Sequence, residues 1–346
     1  MRKLIAILFT FISVVAFAQT STDGSLSYVN AEVSFSSAAS FFPYPDLNPA
    51  NRRNVVKISD KVYKVTAWPQ AGYNYDYYIY IPASYATLKP TKILAISIAS
   101  GGAQGMGPEY YSEWAMNVVV KGNWETKIAD NLGTPLVYPA FDRPANGSAA
   151  SLTRDAMLIK NDRISRLDLQ FIAMIDDAKE FLFDEFDMLF DSKFLMAGYS
   201  MSGSFAMRFT FMHPELVQAV VYGGSSCWHM LPYSTAGSTQ LIYPVGVSDL
   251  ESITGKDFDR DAYLSVPKFY FEGEIDSDDI TMFGGLFPRS MLSWFNDYFG
   301  SDLTNRWSKM VKVVSGGNNI KMARYSDIGH WVNLPEVVKF LKLYTK

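Results

Sequence analysis

The stretch Lys193–Gly203, reading K-F-L-M-A-G-Y-S-M-S-G, constrains the fold more than any other part of the chain. Phe194 to Ala197 is an apolar run short enough to be a strand buried on both faces. Gly198-Tyr199-Ser200-Met201-Ser202 then reads as a tight turn, and Ser202 to Met212 as a helix stopped by Pro214. A strand, a serine-centred turn and a helix in direct succession form an elbow. It lifts the serine hydroxyl above the end of a sheet and aims a helix N-terminus at it. Small residues are needed on both sides, because strand and helix pack closely there. Gly198 meets the G-x-S-x-G form; Ser202 stands where the second glycine is expected, and Gly203 follows one place later.

The elbow sits inside an alternation of strands and helices. Val62–Ala67 and the aromatic run Tyr73–Ile81 read as strands, the latter ended by Pro82. Lys92–Ile98 is a buried strand that runs into Ser100-Gly101-Gly102-Ala103, and Pro135–Pro139 is the next. Leu169–Leu182 is an amphipathic helix with Phe171, Ile175, Ala178 and Leu182 on one face and Asp176, Asp177 and Glu180 pointing away. Val217–Tyr222, Lys268–Glu272 and Ile320–Tyr325 are further strands. A helix spans roughly Arg289–Phe299, and another Pro335 to about Leu343, where Asn333 and Glu336 are spaced as a capping box. This pattern predicts an α/β fold with a mostly parallel, doubly wound sheet, mixed at its N-terminal edge. A segment at about 223–265, after the strand that follows the elbow, is expected as a cap-like insert or cleft wall.

The first residues stand apart from this pattern. Arg2 and Lys3 precede the apolar run Leu4–Ala18, which ends in Ala16-Phe17-Ala18 before Gln19. That is the form of a signal peptide, and about fifteen apolar residues are short for a membrane span. The expectation is a secreted or periplasmic protein with no stable membrane anchor after cleavage, made of residues 1–18 as leader, 19–54 as an N-terminal arm and 55–346 as the main domain. The chain of 346 residues carries a net charge of -4 and shows no basic patch, which argues against nucleic acid as a partner. Cys227 is the single cysteine, so no internal disulfide forms. Without a His/Cys cluster no structural metal is expected. Asp257, Asp259 and Asp261 lack the rest of a calcium loop.

A serine at an elbow needs a base, and three histidines compete for that part. His213 ends the elbow helix, facing solvent or core. His229 lies in the insert, either an ordinary loop residue or a substrate contact. His330 follows the last strand in Tyr325-Ser326-Asp327-Ile328-Gly329-His330-Trp331, where a loop projects over the same strand ends as the elbow. Asp276, in Phe271-Glu272-Gly273-Glu274-Ile275-Asp276, is preferred as the acid that orients His330, with Asp278 and Asp279 as rivals. Each of the three residues Ser200, Asp276 and His330 then comes just after a strand. The N–H of Met201 and one from Gly102 or Ala103 are expected to form an oxyanion hole. Trp228, Tyr110, Tyr111 and Trp114 are aromatic candidates for the walls of a substrate cleft, with core packing as the alternative for all four.

From about Val62 onward the chain resembles the α/β-hydrolase superfamily, most of all secreted bacterial esterases of the polyhydroxyalkanoate depolymerase and feruloyl esterase type. The matching features are Tyr78-Ile79-Tyr80-Ile81-Pro82, the strand ending in Ser100-Gly101-Gly102, the elbow from Gly198 to Gly203, Gly273 to Asp276, and Gly329-His330. Ser100 replaces a histidine common in that group, and Ser202 a glycine. The resemblance implies a serine esterase that needs no cofactor and acts on a polymer-linked or aromatic ester through an acyl-enzyme. A prolyl-type serine peptidase shares that fold and residue set. The non-enzymatic alternative is a binding protein on a hydrolase scaffold.

Overall fold

The computed structural model describes residues 53–85, 90–96, 104–143, 151–160, 162–279, 288–316 and 318–345. The leader, nearly all of the arm, and Ser100, Gly101, Gly102 and Ala103 lie outside the described residues.

Short apolar segments with a two-residue repeat build the sheet. Among the described residues the main sheet has nine strands: β1 (Val55–Lys57), β2 (Val62–Val65), β3 (Tyr77–Tyr80), β4 (Leu94–Ala95), β5 (Leu136–Pro139), β6 (Phe194–Tyr199), β7 (Val217–Gly223), β8 (Lys268–Gly273) and β9 (Ile320–Tyr325). Their spatial order is β1-β2-β3-β5-β4-β6-β7-β8-β9. The β1–β2, β2–β3 and β3–β5 pairs are antiparallel, and every pair from β5 to β9 is parallel. The expected doubly wound α/β sheet, mixed at its N-terminal edge, is therefore the one the chain forms. The run at 73–81 contributes less strand than expected. Tyr73 instead bridges Trp68 across the 3-10 turn Pro69–Ala71, and pairing with β2 and β5 begins at Tyr77.

Alternation along each strand sorts side chains into two cores. In β6, Phe194 and Met196 enter one, Leu195, Ala197 and Tyr199 the other. The first core is covered by α4 (Leu167–Phe186), α5 (Met201–Met212), α8 (Arg289–Phe299) and α9 (Leu303–Val314). The second is covered by α1 (Pro108–Lys121), α2 (Trp124–Leu132) and α10 (Leu334–Leu341). The short helix α3 (Arg154–Leu158) precedes α4, while α6 (Leu250–Thr254) and α7 (Arg260–Ser265) belong to the insert. From Ser202 onward every residue of α5 is buried, which explains a sequence apolar almost all round. The insert sends Trp228, Leu241, Tyr243 and Tyr263 into the first core, and Phe211 of α5 stacks on Phe258 and meets Tyr263 edge-on.

Two expectations need correction. Asp177 does not point to solvent. It is buried, and its carboxylate accepts from Tyr73 and Tyr77 hydroxyls at 2.9 and 2.6 Å and from Arg53 at 2.7 Å. A buried phenol needs a partner, so the tyrosine-rich strand drew the acid inward. The capping box at α10 does not form: Asn333 makes no side-chain cap, and Glu336 pairs with Lys321 at 2.9 Å.

Glycines bring β6, α5 and β7 into backbone contact. A Cβ on Gly198 would lie 2.1 Å from the Ser202 carbonyl oxygen, and one on Gly203 would lie 2.5 Å from that of Gly223. No side chain can swing aside to relieve either clash. Gly203→Ala is therefore expected to lower stability by about 1–3 kcal/mol. Urea unfolding checks this, and an unchanged midpoint would show that helix and strand can part freely.

Candidate active site

Ser200 holds φ 59° and ψ -124°, a conformation that costs a residue with a Cβ roughly 1–3 kcal/mol. The surrounding turn compensates. Ser200 donates its N–H to the Gly223 carbonyl at 2.8 Å, and Ser204 donates to the Ser200 carbonyl at 3.0 Å. Ser202 explains its own departure from glycine. Its hydroxyl accepts from the Tyr199 N–H and donates to the Tyr199 carbonyl, each at 2.8 Å, so the side chain closes the elbow. Met201 opens α5, whose first N–H groups have no intrahelical acceptor.

Asp276 and His330 come from the loops after β8 and β9. Gly273 makes their approach possible: a Cβ there would lie 2.2 Å from the Ile328 carbonyl oxygen and 2.3 Å from that of Gly329. Ile275 donates its N–H to Ile328, tying the loops together at 3.2 Å. His330 donates from Nδ1 to Asp276 Oδ2 at 2.8 Å, and the second Asp276 oxygen accepts the Asp278 N–H at 2.9 Å. The Tyr199 ring, beside Ser200 in the chain, lies 4.9 Å from the His330 ring, and its hydroxyl donates to Asp276 at 3.5 Å. Ser200, Asp276 and His330 thus all stand just after the carboxyl ends of parallel strands of one sheet, β6, β8 and β9.

The electrostatics follow from these contacts. The hydrogen bond that His330 donates to Asp276 raises the His330 pKa above its ordinary 6.5, against the opposing effect of burial. Burial pushes Asp276 upward, but the His330 and Asp278 hydrogen bonds outweigh it and hold the carboxyl below its usual range. The rivals are placed differently. Asp278 is exposed, 3.6 Å from His330 Nδ1, and Asp279 pairs with both terminal nitrogens of Arg306 at 3.0 and 3.1 Å. Donor atoms of Asp276, Asp278 and His330 lie within 4.8 Å of one another, so a cation there would compete for the histidine nitrogen that the carboxylate holds.

The other histidines are structural. His213 is buried with Nε2 2.9 Å from Asp168. His229 is buried, donating from Nδ1 to the Met230 carbonyl at 2.7 Å, and burial drives its pKa down to about 3. Trp228 does not line a cleft. It is fully buried, edge-on to Phe295 and beneath the Arg208 guanidinium, because the start of the insert turns into the core. Tyr110 lies in the first turn of α1, half-buried, edge-on to Tyr111 and 6.3 Å from Trp114.

Two residues matter here that the motifs did not single out. Glu272, buried at the end of β8, accepts N–H bonds from Ser225 at 2.8 Å and Cys227 at 3.2 Å, and an O–H bond from Tyr270 at 2.6 Å. It anchors a turn in which Ser226 and Cys227 both have positive φ. Arg306 of α9, also buried, donates to the Ser226 carbonyl at 3.0 Å as well as to Asp279, joining that turn to the acid loop. A charge inside the apolar run F-Y-F-E-G was the available signal for Glu272.

No family model and no curated protein sequence matches the chain. Among solved structures it is similar to poly(aspartic acid) hydrolase-1 from Sphingomonas sp. KT-1, at 15% identity and a TM-score of 0.49, over 86% of this chain and 99% of that one. It is also similar to an S-formylglutathione hydrolase from Agrobacterium tumefaciens, at 15% identity and a TM-score of 0.46, over 85% and 100% of the two chains. A poly(3-hydroxybutyrate) depolymerase from Bordetella parapertussis matches at 15% identity and a TM-score of 0.47, over 86% and 94%.

Burial raises the Glu272 pKa to about 7, with the Asp276 charge adding to it and the three hydrogen bonds opposing it. A carboxyl raised on folding contributes stability that is full below its unfolded pKa and is lost as pH rises through about 7. Glu272→Gln is therefore expected to gain stability relative to the parent between pH 4 and pH 8, measured by urea unfolding at about those two values. Parallel pH dependences in parent and variant would refute the assignment. On its own sheet order, its elbow and the strand ends that carry Ser200, Asp276 and His330, the chain has the α/β-hydrolase fold.

Proposed function

We propose that the protein is a serine hydrolase that cleaves carboxylic esters through an acyl-enzyme, with Ser200 as nucleophile, His330 as base and Asp276 as its orienting acid. The observation that carries this reading is the 2.8 Å bond from His330 Nδ1 to Asp276, with the His330 ring against Tyr199, the residue before the serine of a strained elbow. With Nδ1 committed to the carboxylate, Nε2 is the nitrogen left to take the Ser200 proton. The Ser200 oxygen attacks the ester carbonyl, the tetrahedral oxyanion collapses, and the alcohol leaves with the proton from His330. Water then repeats the sequence and releases the acid. The Met201 N–H at the start of α5 supplies one oxyanion donor, and the partner donor is assigned to Gly102 or Ala103. The expected leader, residues 1–18, supports action outside the cytoplasm, in the periplasm or beyond, where a polymer-linked ester is found.

Ser200→Ala is expected to abolish fluorophosphonate labelling and the hydrolysis of p-nitrophenyl esters from acetate to octanoate. Absence of both labelling and turnover in the parent would sink the reading, and preferential cleavage of a matched prolyl amide would replace ester with peptide. Asp276→Asn is expected to lower kcat by about 10^4-fold, by analogy with the equivalent loss in serine proteases, and Asp278→Asn by far less. The base must be neutral, and its pKa is raised, so the acid limb of kcat/KM should lie above pH 6.5. A limb below that value would show that Asp276 does not act on His330 as placed.

A further inference from the structure

Two carboxylates on the loop after β8 stand close to the same imidazole nitrogen. Asp276 Oδ2 lies 2.8 Å from His330 Nδ1, and Asp278 Oδ2 lies 3.6 Å from it. Burial disfavours ionised Asp276, whereas water stabilises ionised Asp278. Residues 274–279 form neither helix nor strand, so no regular element chooses between the two acids. The loop is instead held at both ends. At its start, Glu274 and Ile275 donate N–H bonds to Tyr325 and Ile328 at 2.8 and 3.2 Å. At its far end, the Ser226 hydroxyl donates to the Asp278 carbonyl at 3.1 Å, and Arg306 grips Asp279 with both terminal nitrogens. These far contacts act as one device. The Arg306 Nη1 that meets Asp279 also donates to the Ser226 carbonyl at 3.0 Å. Glu272 holds the N–H groups on either side of Ser226, which sits at φ 66°, a conformation that its surroundings must impose. Arg306 is buried, and its guanidinium lies 5.3 Å from the centre of the Phe295 ring, so the device has a fixed base.

We propose that Ser226 and Arg306 are positioning residues: by pinning the Asp278 carbonyl and the Asp279 side chain, they commit His330 to Asp276 and keep Asp278 off it. With the Asp278 carbonyl held, the Asp278 N–H reaches back to Asp276 Oδ1 at 2.9 Å, which leaves Oδ2 for the ring. Without the far clamp only the start of the loop is tied, and the exposed Asp278 carboxylate competes for Nδ1. A bond to that carboxylate is weaker, because water screens it. It would orient the ring less well and stabilise less of the charge that forms as His330 takes the Ser200 proton. The catalytic consequence rests on the serine chemistry proposed above; the choice between the two aspartates does not.

The test reads the aspartate–histidine bond and turnover separately, in the full chain. Ser226→Ala deletes one hydroxyl, and Arg306→Lys keeps the charge but loses the two-nitrogen grip on Asp279. The bond is followed by proton NMR of the His330 Nδ1 hydrogen in protein carrying Ser200→Ala, with the resonance assigned by its loss in His330→Gln. Ser226→Ala is expected to move this resonance upfield. With Ser200 present, it should lower kcat about tenfold and change KM by less than about twofold. Adding Asp278→Ala to Ser226→Ala should restore most of the lost kcat, because the competing carboxylate is gone. A merely structural role would lower the urea midpoint but would neither move the resonance nor respond to Asp278→Ala. Arg306→Lys is expected to behave as Ser226→Ala does, and if it fails to fold, Ser226→Ala alone decides. An unmoved resonance in Ser226→Ala, or a loss of kcat that Asp278→Ala leaves in place, would overturn the proposal. A moved resonance in a protein whose parent hydrolyses no ester would uphold the choice of aspartate and sink the serine chemistry alone.

Discussion

The contact on which the upper edge of this molecule depends is backbone against backbone, between the turn after β6 and the end of β7. Gly203 faces the Gly223 carbonyl, and the same carbonyl accepts the Ser200 N–H. The arrangement leaves no room for a Cβ and holds a serine at positive φ that would otherwise relax. The hydroxyl of Ser202 adds two hydrogen bonds that a glycine could not make, so the variant turn has its own means of closure. Gly273 does the same service one strand further on, letting the His330 loop cross the end of β8.

Around this frame the charges fall into two groups. The Asp276–His330 pair is partly open to solvent, and its hydrogen bond moves both pKa values in the direction that favours ionised acid and protonated base. Behind it Glu272 and Arg306 are buried and committed to backbone groups of one turn, Ser225 to Cys227. Buried charges of this kind are costly unless well paired, and their common task here is to fix loops that carry no regular hydrogen bonding. The same logic applies to Asp177, which three partners drew into the interior.

Much of the fold was legible because strands buried on both faces read as apolar runs, and β6, β7 and β8 showed that signal, whereas β9, I-K-M-A-R-Y, is only partly buried. Helices were harder. α9 escaped notice because its buried face is Arg306, Met310 and Val314, a stripe begun by a charge and holding only two apolar residues. The cap from Asp302 to the Asn305 N–H was the clue that could have found it. α1 and α2 carried a comparable clue in Pro108 at the start of one and Gly122 and Gly133 at the ends of both. Trp228 was misread as a cleft residue because a tryptophan in a long insert looks the same in sequence whether it faces a cleft or the core.

The sequence by itself determined the chain order of the main strands, the serine elbow and three residues that each come just after a strand. Each of these rests on local chemistry: periodicity, small residues at a tight turn, and a histidine placed just after a strand. Only the tertiary structure decided which aspartate meets His330, which histidines are packed away, and which tyrosines and acids share a buried hydrogen bond. Those outcomes depend on how loops far apart in the chain cross at the end of the sheet. It also brought Glu272 of β8 and Arg306 of α9 onto the turn Ser225–Cys227 that follows β7. No window of sequence holds that arrangement, because sheet order and not chain order makes those elements neighbours.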